Sequence, residues 1–208
     1  MCGYLETSSN WGLSLSTLAS YLQYAGSFYQ AHDENEYALN QRTTATVLLS
    51  EISKSEKCAR FVNCGHGNEP PIIASKGSAY VVPFSKEDIY PPIGEHFTPR
   101  SVQPIEVPFA EGDMLVLYTD GITEIFRDTE DEKSIVDEYS KDRLLASVCH
   151  EIGKSNWSAA SAVEGICKDA ESYSLSSRIL EANPLNGKID SATDDITLAA
   201  LRWEEVSL

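Results

Sequence analysis

The sequence predicts an α+β domain in which antiparallel strand pairs carry amphipathic helices. Three observations point there. Short β-favouring runs are joined by turn residues: 43–52 and 59–63 flank a polar turn, and 71–74 and 79–83 flank Lys76-Gly77, so each pair reads as a hairpin. Two later segments have helical spacing, with Leu144, Leu145, Val148 and Ile152 in one and Val163, Ile166, Cys167 and Ala170 in the other. Between these groups the apolar run from Met114 to Tyr118 is too short for a helix and reads as a buried central strand.

Length and composition set the bounds. The 208 residues suit a single domain with a sizeable core. Acidic residues outnumber basic ones 32 to 16, for a formal net charge of −16, which argues against binding to nucleic acid or to an anionic membrane surface. The five cysteines (Cys2, Cys58, Cys64, Cys149 and Cys167) are scattered with no Cys-x-x-Cys pair, as expected for reduced thiols in a cytoplasmic protein. No leader is evident and no apolar run is long enough to cross a bilayer, so no membrane role is read from this sequence.

Taken in order, the chain opens with a helix over 14–31, with Leu15, Leu18, Leu22 and Ala25 on one stripe and Ser14 as its N-cap. The stretch 32–42 is a polar loop; His32 beside Asp33 and Glu34 is read as solvated, because metal sites need rigid supports. The two hairpins follow. Between them His66 stands between Gly65 and Gly67, where its ring nitrogens either shape the turn by bonding nearby backbone or act in catalysis. Residues 85–100 read as irregular, and 102–109 as a strand leading through the turn Glu111-Gly112-Asp113 into the central strand. The acidic run 128–137 reads as a solvated loop, and 174–193 as a polar linker between the last helix and the last strand.

The chemistry-bearing residues stand at two strand ends. Asp120 follows the central strand and precedes Gly121, which permits a sharp backbone turn. A carboxylate placed there either caps the next helical turn or takes a cation. Near the C-terminus Asp194-Asp195-Ile196-Thr197 opens a second apolar strand. Two strands with carboxylates at their ends suit a hard divalent cation with oxygen ligands. A haloacid-dehalogenase type of site is excluded, because its nucleophilic Asp would fall on Tyr118.

These residues carry a resemblance. Leu-Tyr-Thr-Asp-Gly-Ile-Thr-Glu at 117–124 and Asp-Asp-Ile-Thr at 194–197 resemble two motifs of the metal-dependent type 2C protein phosphatases (PPM type), with the bacterial SpoIIE/RsbU branch the most similar. Asn63-Cys64-Gly65-His66 followed by Pro70-Pro71, then Pro92-Ile93-Gly94, then Glu111-Gly112-Asp113, resemble three further segments of that branch in the same order. The resemblance implies a four-layer α-β-β-α sandwich of two antiparallel sheets, filled by a single domain over 1–208. It implies a two-metal Mn²⁺ or Mg²⁺ centre with Asp120 and Asp194 as catalytic metal ligands. Asp195 is either a further ligand or a partner outside the metal's own shell. It implies hydrolysis of phosphoserine or phosphothreonine on a regulatory protein of the anti-sigma-factor antagonist kind. It favours the turn-shaping role for His66.

The family's N-terminal motif, of the type Asp-Val-Ser-Gly-His-Gly, has no counterpart in these residues. The resemblance therefore implies a domain that is N-terminally incomplete, without its first strands and the bridging metal ligand. The alternative reading is a catalytically inactive pseudo-phosphatase or fragment that binds a phosphoprotein or another partner.

Overall fold

A computed structural model of the chain describes residues 14–31, 44–67, 69–95, 102–127, 137–175 and 196–204. In chain order the first elements are α1 (Leu15–Ala31), β1 (Val47–Ser53), β2 (Cys58–Cys64), β3 (Ile72–Ser75), β4 (Ser78–Val81), β5 (Ile89–Tyr90) and β6 (Ile105–Pro108). They are followed by β7 (Met114–Tyr118), α2 (Asp120–Thr123), β8 (Phe126–Arg127), β9 (Asp137–Glu138), α3 (Ser140–Ile152), α4 (Ala159–Leu175) and β10 (Leu198–Arg202). The chain contacts divide these into two compact units, Met1–Gly67 with Phe84–Pro108 and Asn68–Pro83 with Phe109–Leu208. The described residues include no helix long and apolar enough to cross a membrane.

The first unit is built on β2. It pairs antiparallel with β1 from Val47↔Cys64 to Ser53↔Cys58, and with β6 from Cys58↔Pro108 to Phe61↔Ile105. Its end also pairs with β5, in parallel, at Asn63↔Ile89 and Cys64↔Tyr90. That short strand lies inside the stretch expected to be irregular. Two residues show no periodicity of their own, and only pairing with the end of β2 makes them a strand. Helix α1 starts where expected: the Ser14 hydroxyl accepts the Thr17 N–H at 3.2 Å, and the Ser14 carbonyl accepts that of Leu18 at 3.0 Å. Its apolar stripe buries Leu15 and Ala19 against Val62, Cys64, Tyr90 and Val102.

The second unit has an all-antiparallel sheet in the order β10-β7-β3-β4. The hairpin β3–β4 runs from Ile72↔Val81 to Ser75↔Ser78, and β7 lies between β3 and β10. The turn before β7 works as its composition suggests. Gly112 takes φ +89, the Asp113 carboxylate accepts the Ala110 N–H at 2.7 Å, and backbone bonds to Trp203 extend the β7–β10 ladder. Helices α3 and α4 bury Leu144, Val148, Ile152, Ala162, Ile166 and Ala170 in one apolar cluster with Ile72, Met114 and Val116 of the sheet. Each large aliphatic side chain so buried contributes about 1.5–3 kcal/mol.

The two helices approach closely at Gly165, where a Cβ would collide with the buried carboxylate of Glu151, which is held in turn by Lys154 Nζ at 2.5 and 2.6 Å. At the edge of the acidic run, Asp137 pairs with Arg127 in the short ribbon β8–β9; the remainder of that run, 128–136, lies outside the described residues. The class is the expected mixed α+β: the described residues form two four-stranded sheets, the ribbon β8–β9 and four α-helices, with every strand pair antiparallel except β2–β5.

Candidate metal centre

The central strand delivers Asp120 to a fixed position. Met114, Leu115, Val116 and Tyr118 are buried, which anchors β7 on both faces. The backbone leaves the strand through an extended Thr119 (φ −102, ψ 162) and turns at once into α2, whose Ile122 and Thr123 are buried. The Asp120 carbonyl accepts the Glu124 N–H at 2.8 Å and the Thr123 hydroxyl at 3.1 Å, while Ile122 N–H donates to the Thr119 carbonyl at 3.2 Å. The carbonyls of Thr119 and Asp120 and the amides of Thr119, Ile122 and Glu124 are therefore committed.

The Asp120 side chain is not. Among the described residues its carboxylate, half-buried, accepts no hydrogen bond and joins no ion pair. This removes the capping alternative: Thr119 holds the cap position, and no side chain caps the turn. Gly121 is buried inside the helical turn and is not among the glycines with positive φ, so the sharp turn out of β7 forms without a left-handed residue there.

Ile196 and Thr197, which follow the C-terminal acidic pair in sequence, arrive at the same strand end. Thr119 N–H donates to the Thr197 carbonyl at 3.0 Å, and Thr197 N–H returns a bond to Thr119 Oγ1 at 3.0 Å. These two bonds continue the β7–β10 ladder beyond Leu198↔Tyr118 and set Ile196-Thr197 alongside Thr119-Asp120. Asp194 and Asp195 themselves lie outside the described residues. Among the described residues no group of three or more His, Cys, Asp or Glu side chains could hold a metal ion. Asp120 is thus one hard oxygen donor, with no side-chain partner among the described residues, in a set whose other expected members directly precede Ile196. That chemistry fits a divalent cation.

The Asn63–Gly67 turn is a different construction. The Asn63 side chain, 1% exposed, accepts the His66 N–H at 2.8 Å. Gly65 takes φ +68 with Pro92 packed so closely that a Cβ would lie 2.5 Å from Pro92 Cγ. The Pro91-Pro92-Ile93 segment is fixed in turn by Gln23 Nε2, which donates to the Pro91 carbonyl at 2.6 Å, and by two backbone bonds between Ile93 and Ala45. Two motif segments far apart in sequence are therefore one packed assembly. Asn63 shapes the turn through the His66 backbone N–H, and among the described residues the His66 ring makes no hydrogen bond to it.

Solved structures with the same fold identify the class. The SiaA-PP2C domain of Pseudomonas aeruginosa superposes with a TM-score of 0.53 at 14% identity, over 90% of this chain and 69% of that one. The phosphatase domain of the cell fate determinant SpoIIE from Bacillus subtilis gives 0.52 at 16% identity, over 99% and 80%. The catalytic domain of the serine/threonine protein phosphatase PstP, in complex with two manganese ions, gives 0.51 at 12% identity, over 91% and 70%. The fold is that of the PP2C-type phosphatases. Within that class the family model of stage II sporulation protein E (SpoIIE) matches residues 12–204, and the chain belongs to that family. No curated protein matches it.

Proposed function

We propose that the chain is a metal-dependent protein phosphatase domain that hydrolyses phosphoserine or phosphothreonine on a regulatory protein. The observation that carries this reading is the carboxylate of Asp120, without a partner among the described residues, on a backbone held by bonds of Thr119, Ile122 and Glu124, beside the segment that follows Asp194-Asp195. A carboxylate held half-buried with no donor gains most from a cation. Asp120 and Asp194 would hold Mn²⁺ or Mg²⁺, with Asp195 as a further ligand or as an acceptor for water around the ion. A divalent ion bound there supplies an acidified water and offsets phosphate charge for attack at phosphorus. Rigid mounting of Asp120 between β7 and α2 keeps its oxygens in place without reorganisation. The substrate expected from the SpoIIE/RsbU resemblance is a phosphorylated anti-sigma-factor antagonist, met in the cytoplasm.

The test is Mn²⁺-dependent hydrolysis of p-nitrophenyl phosphate and of a phosphoserine peptide by the whole chain. Hydrolysis that needs the metal and falls at least about 100-fold in Asp120→Asn is the expected result. Hydrolysis that proceeds without metal, or unchanged in that variant, overturns the assignment. A folded chain that binds the peptide and leaves it intact supports the phosphoprotein-binding module instead.

A further inference from the structure

Helix α1 differs from the other helices in its charge. Its 17 residues include no Asp, Glu, Lys or Arg, whereas α2, α3 and α4 each carry ionised side chains, in a chain of net charge −16. It is also held firmly against its own unit. Leu15 and Ala19 are buried with Val62, Cys64, Tyr90 and Val102, and Gln23 Nε2 donates to the Pro91 carbonyl at 2.6 Å. The side of α1 turned away from these contacts is therefore presented in a fixed orientation, which lowers the ordering cost of any partner that binds there.

That side is aromatic and uncharged. Tyr21 and Tyr24 are 66% and 69% exposed, the two most exposed large apolar side chains among the described residues, and they stand one turn apart. Leu18, Leu22 and Ala25, half-buried, join Tyr21 at i, i+3, i+4 and i+7 spacing, so a second apolar stripe runs along the flank of the helix. Single exposed apolar side chains are ordinary, but a contiguous patch marks a contact surface. The patch offers no cation to a nucleic acid or an anionic lipid surface, and no charge to complement a charged peptide. Its match is another uncharged helix, and α1 of a second copy is one. Two copies of net charge −16 repel each other, and α1 is the helix that brings no charge of its own to a contact between them.

We infer that α1 is a self-association surface, on which two copies of the chain pair about a two-fold axis with Tyr21 and Tyr24 at the centre of the contact. Two-fold pairing sets the same residues on both sides, as an uncharged patch allows. The inference is independent of the cation site at Asp120. Two tyrosines exposed by two thirds supply about 250 Å² per copy. With their flanking side chains the patch reaches about 500 Å² per copy, or about 1,000 Å² in all, at the low end for a specific interface. The dimer is accordingly weak and forms at micromolar concentrations or above. Because the contact is neutral and the chains repel, salt strengthens it, the reverse of an ionic interface.

Sedimentation equilibrium of the whole chain decides this, over a concentration series at about 0.05 and 0.5 M NaCl, with thermal unfolding of each variant alongside. The parent is expected to dimerise, several-fold more tightly at the higher salt. Tyr21→Glu sets a charge in the contact on both copies and is expected to weaken dimerisation at least about 10-fold at an unchanged unfolding midpoint. Tyr80→Glu, which charges an exposed tyrosine of β4, is expected to leave it within about twofold of the parent. A chain that stays monomeric up to about 500 µM overturns the inference, whatever else binds the patch. So does a dimer that salt weakens, one that Tyr21→Glu leaves intact, or one that Tyr80→Glu disrupts equally. If Tyr21→Glu fails to fold, Tyr24→Glu carries the decision by the same two readouts: weakened dimerisation supports the inference and parent-like dimerisation overturns it. None of these outcomes bears on hydrolysis at Asp120, so the two proposals stand or fall separately.

Discussion

The Asn63–Gly67 turn and the Thr119–Gly121 turn both carry motif residues at the ends of buried strands, yet they use their polar side chains in opposite ways. At the first, the Asn63 carboxamide is buried and bonded to the His66 N–H, and Gly65 is locked under Pro92. At the second, hydrogen bonds of Thr119, Ile122, Thr123 and Glu124 hold the backbone around Asp120 while its carboxylate is left free among the described residues. A side chain that closes its own turn is architecture. One that the architecture holds in place without using is available for chemistry. The difference separates motif residues by role where sequence pattern treats them alike.

Substitutions at the two turns sharpen this contrast, beginning with the largest expected effect on folding. Gly65→Ala must adopt a left-handed conformation and displace Pro92, and is expected to cost about 3 kcal/mol or more in urea unfolding. Asn63→Ala leaves the His66 N–H without its acceptor in a tightly packed place, at about 2 kcal/mol by the same measurement. Thr119→Val removes the acceptor for the Thr197 N–H and is expected to cost about 1 kcal/mol, with faster hydrogen exchange at the Thr197 amide. Asp120→Asn is expected to change stability by less than about 0.5 kcal/mol, because no bond in the described structure depends on its carboxylate. Equal costs at Gly65 and Asp120 would break the comparison.

Much of this was legible beforehand where local pattern and tertiary role agree. Met114–Tyr118 reads as a strand and is one. The period of Leu144, Val148 and Ile152 marks the buried face of α3. Ser14 caps the helix it precedes because an N-cap bond spans only three residues. What was hidden depends on contacts between distant segments. Ile89-Tyr90 is a strand only because β2 lies beside it. The roles of Asn63 and Gly65 follow from one buried hydrogen bond and one proline ring, neither visible in spacing. Asp120 had two readings in the sequence, and of these its side chain does not cap the turn, where Thr119 holds the cap position.

The most direct test of the central claim compares the parent chain with Asp120→Asn on the same two samples, measuring the Mn²⁺-dependent rate on p-nitrophenyl phosphate and the midpoint of thermal unfolding. The account predicts a rate lower by at least about 100-fold with the midpoint unchanged. A parent-like rate would show that Asp120 holds no catalytic cation. A lost rate accompanied by a lowered midpoint would show that its carboxylate supports the fold.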